Sequence, residues 1–164
     1  MKLPFVIATV LLAALAAGCG TADRPPAPPP VVARVFIEAR PQEQAVRVVL
    51  PVSHAHIEVD PRPVLLEFDL AQVELVTAEF GRALLLHWSG AAARDLYQKT
   101  IGSQGRRLVL TLDGAPVSVF TIDGPVSNGL LTFYLELPDD QLPPLARNLQ
   151  QTVVAIQGRL ARQK

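Results

Sequence analysis

Three kinds of side chain outside the leader have the types and spacing for chemistry: a pair of histidines, a pair of turn aspartates and isolated serines. His54 and His56 stand two apart and share one side of an extended chain, the minimum for a metal site, with His87 available as a third ligand. Glu58 and Asp60 have the same parity, whereas Ala55, Ile57 and Val59 take the other, which is also how a half-exposed strand reads. A small-molecule or metal-binding module on the His54/His56 strand is therefore the alternative functional class. Asp113 and Asp123 each precede a glycine, so turn chemistry accounts for both without general acid–base work. Ser118 and Ser127 fall in a hairpin and a turn, and neither stands in G-x-S-x-G. Gly102-Ser103-Gln104-Gly105 follows a helical pattern instead of opening one, so it is not a phosphate cradle. These residues predict a protein that is not an enzyme.

Cys19 is the one cysteine, so no disulfide forms within the chain. Before it, Met1-Lys2 supplies a positive start and Leu3 to Ala17 an apolar core too short to span a membrane comfortably. Leu15-Ala16-Ala17-Gly18-Cys19 resembles a bacterial lipobox, although Ala16 stands where leucine is usual. The resemblance implies a signal peptide over residues 1–18 and a diacylglycerol and an N-acyl lipid (palmitate-type chains) on Cys19, with no other cofactor. Several acyl chains, at about 0.8 kcal/mol per buried CH₂, would make the attachment effectively permanent. Gly20, in place of a retaining aspartate, points to the periplasmic face of the outer membrane. Residues 19–33 form a linker with five prolines between Pro25 and Pro30, which favours an extended, semi-rigid stalk.

Residues 34–164 suit a single domain with an ordinary core. Lys plus Arg equals Asp plus Glu at 15 each, and that balance excludes a nucleic-acid footprint.

The elements that must position these side chains alternate at first. Val31–Ala39, Ala45–Val52, Ser53–Asp60, Val64–Phe68, Val73–Phe80 and Arg82–Trp88 read as strands. Ser89 is a plausible N-cap for a helix over Gly90–Ile101, with Ala93, Tyr97, Thr100 and Ile101 on one side. Arg107–Leu112 places Leu108, Leu110 and Leu112 on one face, and Asp113-Gly114 is a type I′ hairpin dipeptide. A two-residue turn would pair Leu112 with Ala115, Leu110 with Val117 and Leu108 with Val119, and Pro116 favours an outer edge. Leu130–Leu137 is the last strand. Asp139 or Asp140 would cap a final helix whose stripe runs Leu142, Leu145, Leu149, Val153, Ile156 and Leu160. The pattern is α+β: mostly antiparallel sheet with two helices packed on one face.

The stretch from Gly105 through Leu108-Val109-Leu110-Thr111-Leu112-Asp113-Gly114 to Pro116-Val117-Ser118 resembles the first periplasmic head domain of SecD, an accessory subunit of protein export. Ala91–Ile101 matches the preceding helix, Ile122 to Pro125-Val126 with Gly129 continues the motif, and Asp139 to Leu149 takes the place of the following acidic helix. The resemblance covers about Leu70 to Leu149. It departs in the strand Leu130–Leu135, where the family carries a glycine, and in lacking the SecD membrane helices. It implies a fold and an interaction role, with an envelope protein or an unfolded export client as partner, and no intramembrane energy coupling. Asp113 and Gly114 at one turn, and Asp123, Gly124, Pro125, Asn128 and Gly129 in a second loop, are the candidate contact residues.

Overall fold

The structure, a computed structural model, describes residues 29 to 162; the expected signal peptide over residues 1–18, Cys19 and most of the proline-rich stretch lie outside them. Eight strands and two long helices follow in the order β1 (Ala33–Ile37), β2 (Val46–Val49), β3 (His56–Val59), β4 (Leu70–Ala78), β5 (Gly81–Trp88), α1 (Gly90–Ile101), β6 (Arg107–Leu112), β7 (Ala115–Thr121), β8 (Leu130–Phe133) and α2 (Leu142–Ala161). All pairings are antiparallel, in sheets of order β1-β6-β7, β2-β3 and β4-β5-β8. The α+β architecture expected from the pattern is the one observed.

Alternation decides which side of each strand is buried. Ala33, Val35 and Ile37 of β1 join Leu108, Leu110 and Leu112 of β6 in the main core, which also takes Leu84 and Leu86 of β5 and Leu131 and Phe133 of β8. Both helices add to this same core, through Ala92 and Leu96 of α1 and Ala146, Leu149 and Val153 of α2. The opposite side of β6 is buried as well. Val109 packs with Leu50, Ile57 and Val59 in a smaller cluster under the β2–β3 hairpin. That hairpin is tied to β1 by backbone bonds, Ala39 N–H to Glu58 O (2.8 Å) and Asp60 N–H to Ile37 O (2.9 Å).

Several expectations change in detail. The Asp113-Gly114 turn forms, with φ of 50° and 85°, and pairs Leu112 with Ala115. A bulge between Leu110 and Thr111 then shifts the register, so Leu110 pairs with Ser118 and Leu108 with Phe120. Pro116 sits on β7, an edge strand of its sheet. In α1 the buried stripe is Ala92, Leu96 and Thr100, while Tyr97 and Ile101 are exposed. This rotation buries the aliphatic Leu96 and leaves the amphipathic Tyr97 at the surface.

No strand forms over Val64–Phe68: only Leu65 bridges β1, and Glu67–Asp69 turns into a short 3₁₀ helix. The Asp69 carboxylate accepts the Leu66 N–H at 3.0 Å and closes that turn. β8 ends at Phe133 because the next residues change partner. Ser118 Oγ donates to Tyr134 O (2.6 Å) and Glu136 N–H to Val117 O (2.8 Å). Neither Asp139 nor Asp140 caps α2; Gln141 is its N-cap, because a Pro138–Gln141 turn carries the chain past both acids. Pro143 and Pro144 lie in the first turn as their missing N–H groups permit. Leu160 is exposed at the far end of the stripe.

Candidate interaction surface

The two turns expected to carry contacts do not form one surface. Asp113 and Gly114 stand at one end of β7 and Asp123 just beyond the other, with a seven-residue strand between them. At about 3.4 Å per residue that is roughly 20 Å. Each turn is held by the fold in its own way.

Asp113 closes the entry of the chain into the sheet. Its Oδ1 accepts the Val32 N–H at 2.9 Å, and its own N–H donates to Val32 O at 2.8 Å. With Gly114 it borders a groove of about 580 Å³ between the β2–β3 hairpin and the outer face of β1 and β6. Val46, Val48, Phe36 and Val109 make the groove mainly apolar. Its one cationic group, Arg34, is paired with Glu67, Nε to Oε2 at 3.2 Å. Burial pushes the Glu67 carboxyl up, but the Arg34 bond, its own backbone N–H and the Arg34 charge bring it below its ordinary value overall.

In the second loop Asp123, Pro125 and Asn128 are exposed, Gly124 is half-buried and Gly129 is buried. Asn128 Oδ1 accepts the Leu130 N–H at 3.0 Å, a local turn bond. Val126 anchors the loop from inside by donating its N–H to Thr100 Oγ1 at 3.0 Å. Gly129 has φ of 67°, and its carbonyl accepts the Trp88 N–H at 2.9 Å. Its place among contact residues is thus taken by a structural role, while Asp123, Pro125 and Asn128 keep free surface.

His54 does not share a strand with His56. It lies in the β2–β3 turn with φ of 55°, and β3 begins only at His56. The parity argument that put both imidazoles on one side fails at that positive φ. His87 lies on β5 with Nε2 3.2 Å from Glu74 Oε1, an approach that lacks hydrogen-bond geometry. Among the described residues no group of three or more His, Cys, Asp or Glu side chains is placed to hold a metal ion.

Sequence reasoning missed Glu136. Its Oε2 accepts the N–H groups of both Val52 and Ser53, at 2.8 and 2.9 Å, and so fastens the hairpin tip to the segment after β8. Burial opposes its ionisation, yet the bonds from Ser53 and Val52 and the nearby His54 outweigh it, and the carboxyl titrates below its ordinary value. No sequence signal could link positions 84 residues apart. Two exposed apolar tips flank this segment: Val52, and Phe80 at the β4–β5 turn, whose ring meets Tyr134 edge-on at 5.7 Å.

No protein-family model matches the sequence, and no curated protein matches it. Solved structures do. The chain is similar to SecDF, described as a membrane component that enhances protein export, with a TM-score of 0.57 and 17% identity over 74% of this chain and 62% of that one. It is similar also to SecDF in a super-membrane-facing form, with a TM-score of 0.57 and 18% identity over 73% of this chain. The matched region is 18% of that second chain, so this sequence spans only part of either SecDF structure. Among the described residues no helix is long and apolar enough to cross a membrane. What the chain shares with SecDF is therefore its fold, the fold that the Leu108–Gly114 stretch and its flanks resemble.

Proposed function

We propose that this chain is a lipid-anchored, periplasm-facing protein whose domain binds other polypeptides without catalysing a reaction, in the service of protein export or envelope assembly. The SecDF fold is the observation that carries this reading. Anchorage through Cys19, on the periplasmic face of the outer membrane, completes it and rests on the lipobox-like Leu15–Cys19 stretch alone. The partner is an envelope protein or an unfolded export client. Exposed Asp123, Pro125 and Asn128, and the apolar groove beneath the β2–β3 hairpin, supply surface for such contacts.

The test is site-specific photo-crosslinking in intact cells from position 123. A discrete crosslinked envelope protein or nascent exported chain is the expected product. Capture of lipid and bulk neighbours alone would remove the basis for an interaction role.

A further inference from the structure

Sheets leave edges, and those at β7, β3, β2 and β4 meet different fates. β7 carries Pro116, and its Val117 carbonyl is taken by the Glu136 N–H. β3 is joined to β1 on one side and β2 on the other. β2 is open, but Arg47 stands in its middle, paired to Glu58 at 2.7 Å, the kind of charge that blunts an edge. β4 is the outer strand of β4-β5-β8. Its first half is protected by a bulge between Leu70 and Gln72 and by side chains of α2. Gln157 Nε2 donates to Leu70 O (3.0 Å) and to Phe68 O (3.3 Å), and Gln150 Oε1 accepts the Val73 N–H (2.7 Å).

The second half of β4 has no such device. The Val73 N–H points outward to Gln150, and Trp88 of β5 donates away from β4, to Gly129 O. Antiparallel pairs alternate, and the register runs unbroken from Gln72–His87 to Ala78–Gly81, so Leu75 and Thr77 also turn their N–H and C=O groups outward. Leu75-Val76-Thr77-Ala78 contains neither charge nor proline. Beside it runs a groove of about 450 Å³ between β4 and α2, lined by Val73, Leu75, Pro143, Ala146 and Arg147 among others. Arg147 is exposed and holds no ion pair among the described residues.

From this we infer that the Leu75–Ala78 edge of β4 takes up an extended segment of another polypeptide as an added strand, with an apolar side chain in the β4–α2 groove and a carboxylate on Arg147. The open donors and acceptors demand a β-strand, the Val73, Leu75 and Ala146 walls select an apolar residue, and the unpaired guanidinium selects an acidic one. The inference rests on the interaction reading and gives it a site and a partner chemistry.

The probe is a labelled seven-residue peptide, blocked at both ends and alternating valine and threonine with one aspartate, titrated by anisotropy into the full chain in detergent micelles. Thr77→Pro removes an outward N–H while sparing the β4–β5 ladder, and Thr77→Lys places a charge on the edge as a second variant should proline disturb folding. Either variant, or methylation of alternate peptide amides, is expected to weaken binding at least about tenfold. Arg147→Glu is expected to reverse the order of the aspartate peptide and its lysine counterpart. Absence of binding, or binding indifferent to both Thr77 variants, overturns the site. So does a concentration-dependent dimer that Thr77→Lys dissolves while peptide binding is missing, since the edge then serves a second copy. Peptide binding without any crosslinked partner in cells overturns the cellular role and leaves the site. A partner captured from position 123, with peptide binding untouched by the Thr77 variants, overturns the site and leaves the role.

Discussion

Gly129 lies so close to Ala93 that a Cβ on the glycine would sit 2.7 Å from the alanine Cβ. The loop before β8 thus presses on the first turn of α1, and it does so in the left-handed region, at φ of 67°. Both demands fall on one residue. Gly129→Ala should destabilise the domain by about 2–4 kcal/mol, combining the left-handed penalty with overpacking. Urea unfolding measures it; a loss under about 0.5 kcal/mol would mean that the contact relaxes freely.

Thr100 ties the same loop to the helix. Its fully buried hydroxyl donates to Leu96 O at 2.9 Å and accepts the Val126 N–H at 3.0 Å. Thr100→Val keeps the shape and orphans the Val126 donor, for a loss of about 1–3 kcal/mol. Amide exchange at Val126 should rise along with it, and unchanged protection there would refute the assignment.

Glu38 and Arg107 join the end of β1 to the start of β6. Glu38 Oε2 accepts the Arg107 backbone N–H (3.1 Å) and Nε (2.9 Å), and Oε1 accepts Nη2. The Arg107 bond holds the Glu38 carboxyl below its ordinary 4.5 against the opposing effect of burial. A depressed carboxylate stabilises the fold above the unfolded value and loses that contribution as pH falls through the folded one. Glu38→Gln should therefore cost about 1 kcal/mol at pH 7, discounted for partial exposure. The gap to the parent protein should close as pH drops below the ordinary 4.5. A gap independent of pH would count against the pair.

Glu136 fastens the β2–β3 tip through two backbone donors. Glu136→Ala should speed hydrogen exchange at Val52 and Ser53 by roughly tenfold or more, while α1 amides keep their protection. Because its carboxyl also titrates below the ordinary range, acid should loosen this tip in the parent protein and not in the variant. Equal exchange in parent and variant at pH 7 is the result that removes the latch.

Cys19 is assigned by sequence alone. Cys19→Ser should leave a chain without acyl mass and without membrane retention. Intact-mass spectrometry decides between that and an unchanged mass, which would mean that no lipid is attached.

Sequence alone determined what depends on neighbours along the chain. The Asp113-Gly114 turn, the Ser89 cap and the place of Pro143 and Pro144 in the first turn of α2 are set by local φ, ψ and hydrogen bonding, and each stands where the pattern placed it. The SecD-like order of helix, strand, turn and helix was legible for the same reason. Tertiary structure decided what depends on distant partners. The bulge at Leu110/Thr111, the rotation of α1 onto Ala92 and Leu96, and the end of β8 at Phe133 follow from packing and from hydrogen bonds to other elements. The Glu136 clasp and the open half of β4 belong to the same class. Whether a strand edge is covered depends on where a helix 70 or more positions away comes to rest, as Gln150 does at Val73, and periodicity carries no record of that.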